Sequence, residues 1–219
     1  MAIRGKCMSS IKLIYAYWRE RYPVSVFLPF SILIAAAGVV AGGSLPTIRD
    51  ALIGCLLAYT LILIFRIGDD LADLSSDRLR HPDRVLVQAA SVTPIIVFAS
   101  VLAAGDVLLM LRQPHSIAGF LALSLFLALW YRWRALLHAG PLVSAHVVLI
   151  KYPVISLLTC AHWEKLSQHT ALPAFGTIYL GLCIYEQAHD RVVRESRGAQ
   201  WIFAAEVVVL MLSIGGFLR

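Results

Sequence analysis

Charge is scarce in this chain. Only 15% of its 219 residues are Asp, Glu, Lys or Arg, and 59% are hydrophobic. A soluble domain has about 25% charged and about 45–50% apolar residues. One water-soluble core of this size cannot bury such an excess, which excludes a soluble enzyme, a nucleic-acid-binding domain and a disordered chain. Cysteine is sparse too. Cys7, Cys55, Cys160 and Cys183 include no CxxC pair, and Cys55 and Cys183 sit inside apolar runs. They read as small apolar side chains, with neither a disulfide framework nor a zinc site expected. His81, His138, His146, His162 and His189 show no metal-ligand spacing. The chain does not open on a compact apolar run followed by a small-residue cleavage site, so no secretory signal is expected. No polar linker or low-complexity tract divides residues 1–219, so one integral-membrane domain is expected.

What the chain has instead is long apolar runs. A helix needs about 20 mostly apolar residues to cross a bilayer. Seven stretches qualify: Val24–Gly43, Ile48–Ile67, Ser91–Leu111, Ile117–Tyr131, Pro141–Cys160, Leu172–Ile184 and Gln200–Leu218. The expected fold class is all-α, a polytopic membrane bundle of about seven transmembrane helices. Pro29 and Pro153 fall inside spans and predict kinks. Ser10–Arg21 interleaves Ile11, Leu13, Ile14, Tyr15, Tyr17 and Trp18 with Lys12, Arg19 and Arg21, which predicts an interfacial helix within a basic segment over 1–22.

The formal charge of +6 follows from topology. Fourteen of the 19 basic residues fall on one side of the seven spans, Arg49, Arg112, Lys165 and Arg219 fall on the other, and Lys151 lies within span five. The side rich in arginine is expected to be cytoplasmic, or its organellar equivalent. No nucleic-acid partner is needed to explain the charge.

The acidic residues are clustered. Eight of 13 lie at Asp69, Asp70, Asp73, Asp77 and Asp83, after span two, or at Glu186, Asp190 and Glu195, after span six. Both span numbers are even, so both clusters emerge on the same face. Asp69, Asp73 and Asp77 stand at i, i+4 and i+8, one stripe of a helix about 12 Å long, with Asp70 flanking it. Glu186 and Asp190 repeat the i, i+4 spacing. So many carboxylates repel one another at the edge of a low-dielectric region unless they protonate, pair with Arg66, Arg78 and Arg80, or bind divalent cations. Mg²⁺ suits such oxygen donors and is commonly shared with substrate phosphates. Two Mg²⁺-carboxylate clusters at an apolar mouth fit a diphosphate carrying a hydrophobic chain. A solvated acidic loop and an ion pathway are the alternatives, the second weakened because only Lys151, His146, Asp106 and Glu206 are ionisable within other spans.

Asp69-Asp70-x-x-Asp73-x-x-x-Asp77, followed by Pro82-x-Arg84-Val85-Leu86, resembles the first signature of the UbiA-type intramembrane prenyltransferases, N-D-x-x-D-x-x-x-D with a downstream R-P-L. Arg21-Tyr22-Pro23 ahead of span one and the position of the second acidic cluster agree. The resemblance implies a helical membrane fold holding a prenyl diphosphate, with Mg²⁺ bridging carboxylates and diphosphate. An allylic carbocation is then captured by a lipophilic acceptor or cyclises internally, as in a terpene-cyclising relative. Asp69 stands at the family's asparagine, and Asp70, Asp73 and Asp77 at its aspartates. Glu186 and Asp190 stand where a second D-x-x-x-D would. The implied metal ligands are Asp69, Asp73, Asp77, Glu186 and Asp190, with Asp70, Asp73 and Asp77 carrying the catalysis. Lys151, a cation ten residues into span five, is either a further catalytic group on the diphosphate or acceptor, or a snorkelling or structurally ion-paired side chain.

The leaving group is pyrophosphate, so basic side chains are needed against its growing charge. Arg66, Arg78, Arg84 and Lys151 are the candidates; Arg66 is equally placed to be a structural partner of Asp70. Tyr131, Tyr152, Tyr185, Trp130 and Trp133 either shield a cation or, for Trp130, Tyr131 and Trp133 above all, form an interfacial aromatic belt. His189, beside Asp190, is a candidate for proton removal. The family has nine spans, so here either the cavity opens to lipid or an oligomer or partner chain completes the helical ring. Asp69 replaces an asparagine, Val85 replaces a proline, and the second motif is followed by Arg191, Arg194 and Arg197. These departures leave room for a vestigial, non-catalytic lipid-binding or partner subunit. The D-G-x-x-A-R pattern of the CDP-alcohol phosphotransferases is absent.

Overall fold

A computed structural model describes residues 9–43, 45–166 and 168–217, and it contains no β-strand among them. The helices in chain order are α1 (Ser10–Arg21), α2 (Val24–Ala41), α3 (Ile48–Ala72), α4 (Leu74–Arg80), α5 (Val85–Gln88), α6 (Thr93–Met110), α7 (Pro114–Trp133), α8 (Pro141–Leu149), α9 (Lys151–Leu158), α10 (Gln168–His189), α11 (Arg191–Arg194) and α12 (Ala199–Phe217), with a 3₁₀ turn at Trp163–Lys165. Cys7, Arg4 and Lys6 lie outside the described residues.

Local chemistry sets several boundaries. Thr47 caps α3, its hydroxyl accepting the Asp50 N–H. Pro94, Pro114 and Pro141 occupy first-turn positions of α6, α7 and α8, where a missing N–H costs least. Pro153 cannot donate to Leu149, and the rod splits at Ile150 into α8 and α9, the interruption expected from the sequence. Pro29 differs: α2 runs across it without a break.

Among the described residues, five segments are long and apolar enough to cross a membrane: α2, α3, α6, α7 and the Pro141–Leu158 pair. The stretches expected as spans six and seven are also helical. They form α10, which starts four residues earlier than anticipated and so encloses Pro173, and α12, whose described apolar stretch is Ala199–Ile214. Many large apolar side chains point outward, including Val101, Leu125, Met211 and Leu212 at 61–70% exposure, as an acyl-chain environment requires and water would penalise.

α9 is the packing centre, in contact with α2, α3, α7 and α10. Its Ile155 and Leu158 are fully buried. It approaches α2 so closely that a Cβ on Gly38 would overlap the Ser156 carbonyl oxygen, and Ser156 Oγ donates to Ile34 O at 2.8 Å. α1 lies against α6 and α5, burying Leu13 and Tyr17 one turn apart and exposing Ile11 and Tyr15. That is the one-sided burial expected of an interfacial helix.

Candidate functional site

The C-terminal end of α3 carries the first acidic motif. The helix does not continue unbroken through it: α3 ends at Ala72, and Asp73 links it to α4. The i to i−4 ladder survives nonetheless, with Asp73 N–H on Asp69 O at 3.0 Å and Asp77 N–H on Asp73 O at 2.8 Å. The stripe of Asp69, Asp73 and Asp77 is therefore kept across the junction.

Each aspartate has its own cation. Lys151, at the start of α9, and the Tyr131 hydroxyl, from α7, both donate to Asp69. Arg134, just past α7, donates to Asp73, and Arg84 donates to Asp77. Asp70 turns the other way, toward α1. Arg21 grips it through Nε at 2.9 Å and Nη2 at 2.6 Å, and Tyr17 Oη donates at 2.9 Å. Burial first, and Asp70 second, push the Tyr17 phenol up, so it remains a donor. The hydrogen bond to Asp70 raises the Arg21 guanidinium further, keeping it charged. Glu20 accepts the Val85 N–H at 2.8 Å, tying α1 to the segment after Arg84.

Pairing with Arg66, Arg78 and Arg80, one of three outcomes the sequence left open, is met by Arg66 alone, which forms an ion pair with Asp70. Arg78 and Arg80 are exposed and take no part. Arg66 reaches only 3.7 Å from Asp70, and its Nε is buried without an acceptor. Sequence neighbours such as Asp77 and Arg78 leave a helix on different faces, which favours distant partners instead. Arg21, Tyr17 and Arg134 were not foreseen as site residues. The signal for Arg134 was its place after an even-numbered span; that for Arg21 was its place before Pro23. Tyr131, expected in an aromatic belt, instead reaches the acidic stripe, while Trp133 is exposed at 49%.

The second motif reaches the same end of the bundle. Glu186 is half-buried near the end of α10, where the charges of Asp190, Arg66 and Lys151 act on it. Asp190 serves as N-cap of α11, its Oδ1 accepting from Val192 and Val193, which leaves it less to offer an ion. Tyr185 is placed elsewhere: it is 57% exposed and stacks on His189 with ring centroids 4.1 Å apart. His189 is likewise at the surface.

An apolar cavity of about 780 Å³ opens between α1, residues 85–91 and α6, walled by Leu13, Ile14, Val97, Phe98 and Val101. It lies beside the aspartates rather than among them; Val85, next to Arg84, is its link to the acidic stripe. The donor set of Asp69, Asp73, Asp77 and Glu186 is all carboxylate oxygen, the chemistry Mg²⁺ prefers. Asp73 is the most open, its side chain 43% exposed against 8–15% for Asp69, Asp70 and Asp77. Buried Arg66 Nε, lacking an acceptor, suits an anionic oxygen. As they stand, Asp69, Asp73 and Asp77 are each engaged by a cation, and among the described residues no three of these carboxylates bring their oxygens close enough together to hold an ion.

No family model, no curated protein and no solved structure matches this chain.

Proposed function

We propose that this protein is a seven-span, UbiA-like membrane prenyltransferase that transfers a prenyl group from a prenyl diphosphate to a membrane-soluble acceptor at its cytoplasmic face. What supports the reading is that Lys151, which pairs with Asp69 of α3, and Arg66, whose Nε is buried without a hydrogen-bond acceptor, also act on Glu186 of α10. Asp69, Asp73, Asp77 and Glu186 would hold Mg²⁺, which when bound supplies positive charge to the departing pyrophosphate. Lys151, Arg84 and Arg134, released from their aspartates, hold phosphate oxygens. Arg21 and Tyr17 keep Asp70 fixed, so that α3 presents the other three carboxylates in register. The apolar cavity beside Arg84 takes the prenyl chain, and the surrounding apolar side chains keep water from the reacting carbon.

A second reading is favoured by a specific feature. All four aspartates already have cation partners, which suits a non-catalytic membrane lipid-binding or partner subunit in which the cluster is an electrostatic clamp.

Purified protein in lipid nanodiscs, given farnesyl or geranylgeranyl diphosphate, Mg²⁺ and a membrane-lipid extract, separates the two. The first reading predicts pyrophosphate release that a chelator abolishes and that Asp73→Asn lowers by at least about 100-fold. Absence of release with either substrate from folded protein refutes it and leaves the second.

A further inference from the structure

A second polar cluster lies inside the bundle, made from residues that the diphosphate site does not use. His146 comes from α8, Cys183 from α10 and Glu206 from α12, and their ligand atoms all lie within 4.8 Å of one another. Cys183 is fully buried and Glu206 is 8% exposed. Gln187, one helical turn after Cys183 and 2% exposed, donates through Nε2 to Glu206. That contact fixes the amide, and Gln187 Oε1 is left buried with no donor.

The imidazole is also oriented. His146 Nδ1 lies 2.7 Å from Leu142 O, an acceptor, so the ring proton belongs on Nδ1. The Nε2 lone pair of the neutral ring then faces Glu206 Oε1 at 2.6 Å, another acceptor. Two lone pairs facing each other need a cation between them, a proton or a metal. A metal-bound histidine characteristically donates its other N–H to a carbonyl or carboxylate, as here.

We propose that His146 Nε2, Cys183 Sγ, Glu206 Oε1 and Gln187 Oε1 form a buried site for a borderline-soft divalent metal of the Zn²⁺ class. Nitrogen, thiolate and carboxylate ligands at about 2.0–2.3 Å from one ion stand about 3.3–3.8 Å apart, so His146 Nε2 and Glu206 Oε1 would part from their present 2.6 Å to admit it, within a group that now spans no more than 4.8 Å. The thiolate distinguishes this site from the all-oxygen carboxylate cluster, which suits Mg²⁺. Four protein ligands leave no open position, so the site is structural: it fastens α12, which packs chiefly on α10, to α8 and α10. Binding releases two protons to solvent, that of the Cys183 thiol and the one shared by His146 Nε2 and Glu206 Oε1, and changes no oxidation state. A bound ion also supplies the partner that Gln187 Oε1 lacks.

The test is made on full-length protein purified in detergent without chelators. Elemental analysis is expected to find one zinc per chain. After stripping and reloading, Co²⁺ is expected to give tetrahedral visible bands and a near-ultraviolet thiolate-to-cobalt band. Cys183→Ser removes that last band, whereas Cys160→Ser, at a buried thiol outside the cluster, retains it. Wild-type protein that carries no stoichiometric zinc and gives only the spectrum of hydrated Co²⁺ overturns the proposal, as does a thiolate band that survives Cys183→Ser. Neither result bears on pyrophosphate release.

Discussion

Replacing Lys151 by Met is the sharpest perturbation of the polar core. Lys151 is 2% exposed, and its only carboxylate partner is Asp69, whose side chain is 15% exposed. Removing one member of a buried pair costs about 3–5 kcal/mol, because the other charge is left uncompensated. Asp69 keeps the Tyr131 hydroxyl, which places the cost near the lower end, about 3 kcal/mol. For a chain of this length that corresponds to a fall in Tm of about 6–12 °C. Adding Asp69→Asn removes the stranded charge, and the double variant is expected to recover most of the loss, since an uncharged pair of similar volume is often as stable as a buried ion pair. The assay is thermal unfolding in one detergent, read by tryptophan fluorescence across the wild type, both single variants and the double variant. The double variant separates structure from chemistry: it regains stability but not pyrophosphate release. A Lys151→Met protein as stable as wild type, or a double variant no better than the single, refutes the pairing.

Arg21→Met leaves Asp70 with Tyr17 at 2.9 Å and Arg66 at 3.7 Å and is expected to cost about 2–3 kcal/mol, read as a lowered Tm. Gly38→Val drives side-chain atoms into the Ser156 carbonyl and Thr159 hydroxyl; it is expected to destabilise by about 1–3 kcal/mol or to abolish folded expression, whereas Gly176→Ala, with open space around it, is tolerated. Topology is read by labelling single introduced cysteines: Leu137→Cys, 63% exposed, is expected to react from the cytoplasmic side and Leu45→Cys, 93% exposed, from the opposite side.

Helices were legible in the sequence where composition alone decides them. α1 and the start of α2 fall where the apolar pattern places them, and the break at Ile150 follows from Pro153 having no N–H. The acidic stripe was legible too, because i, i+4, i+8 spacing survives the turn at Asp73. The partners were not. Lys151 lies 82 residues from Asp69, Arg134 lies 61 from Asp73, and Arg21 lies 49 from Asp70. Helix geometry turns Arg78 away from Asp77, but nothing local points Arg84 toward it; packing does. The His146, Cys183 and Glu206 cluster was invisible for a related reason. Each helix contributes a single ligand type at that point, so no motif spacing exists, and a lone cysteine in an apolar run reads as a small hydrophobe until the helices are assembled. The seven expected spans show the limit of hydropathy alone: α10 is as long as the others, but its polar residues, among them Gln187 and Glu186, dilute the apolar signal at the place where they matter.

The central claim is that carboxylates from α3 and α10 share one metal-diphosphate site. Electron-nuclear double resonance on Mn²⁺, added as a Mg²⁺ substitute with a non-hydrolysable prenyl diphosphate analogue, tests it most directly. The account predicts bound Mn²⁺ coupled to phosphorus, with the coupling lost in Asp73→Asn and weakened in Glu186→Gln. Phosphorus coupling that is unchanged in both variants, or Mn²⁺ that binds without any coupling to phosphorus, contradicts it.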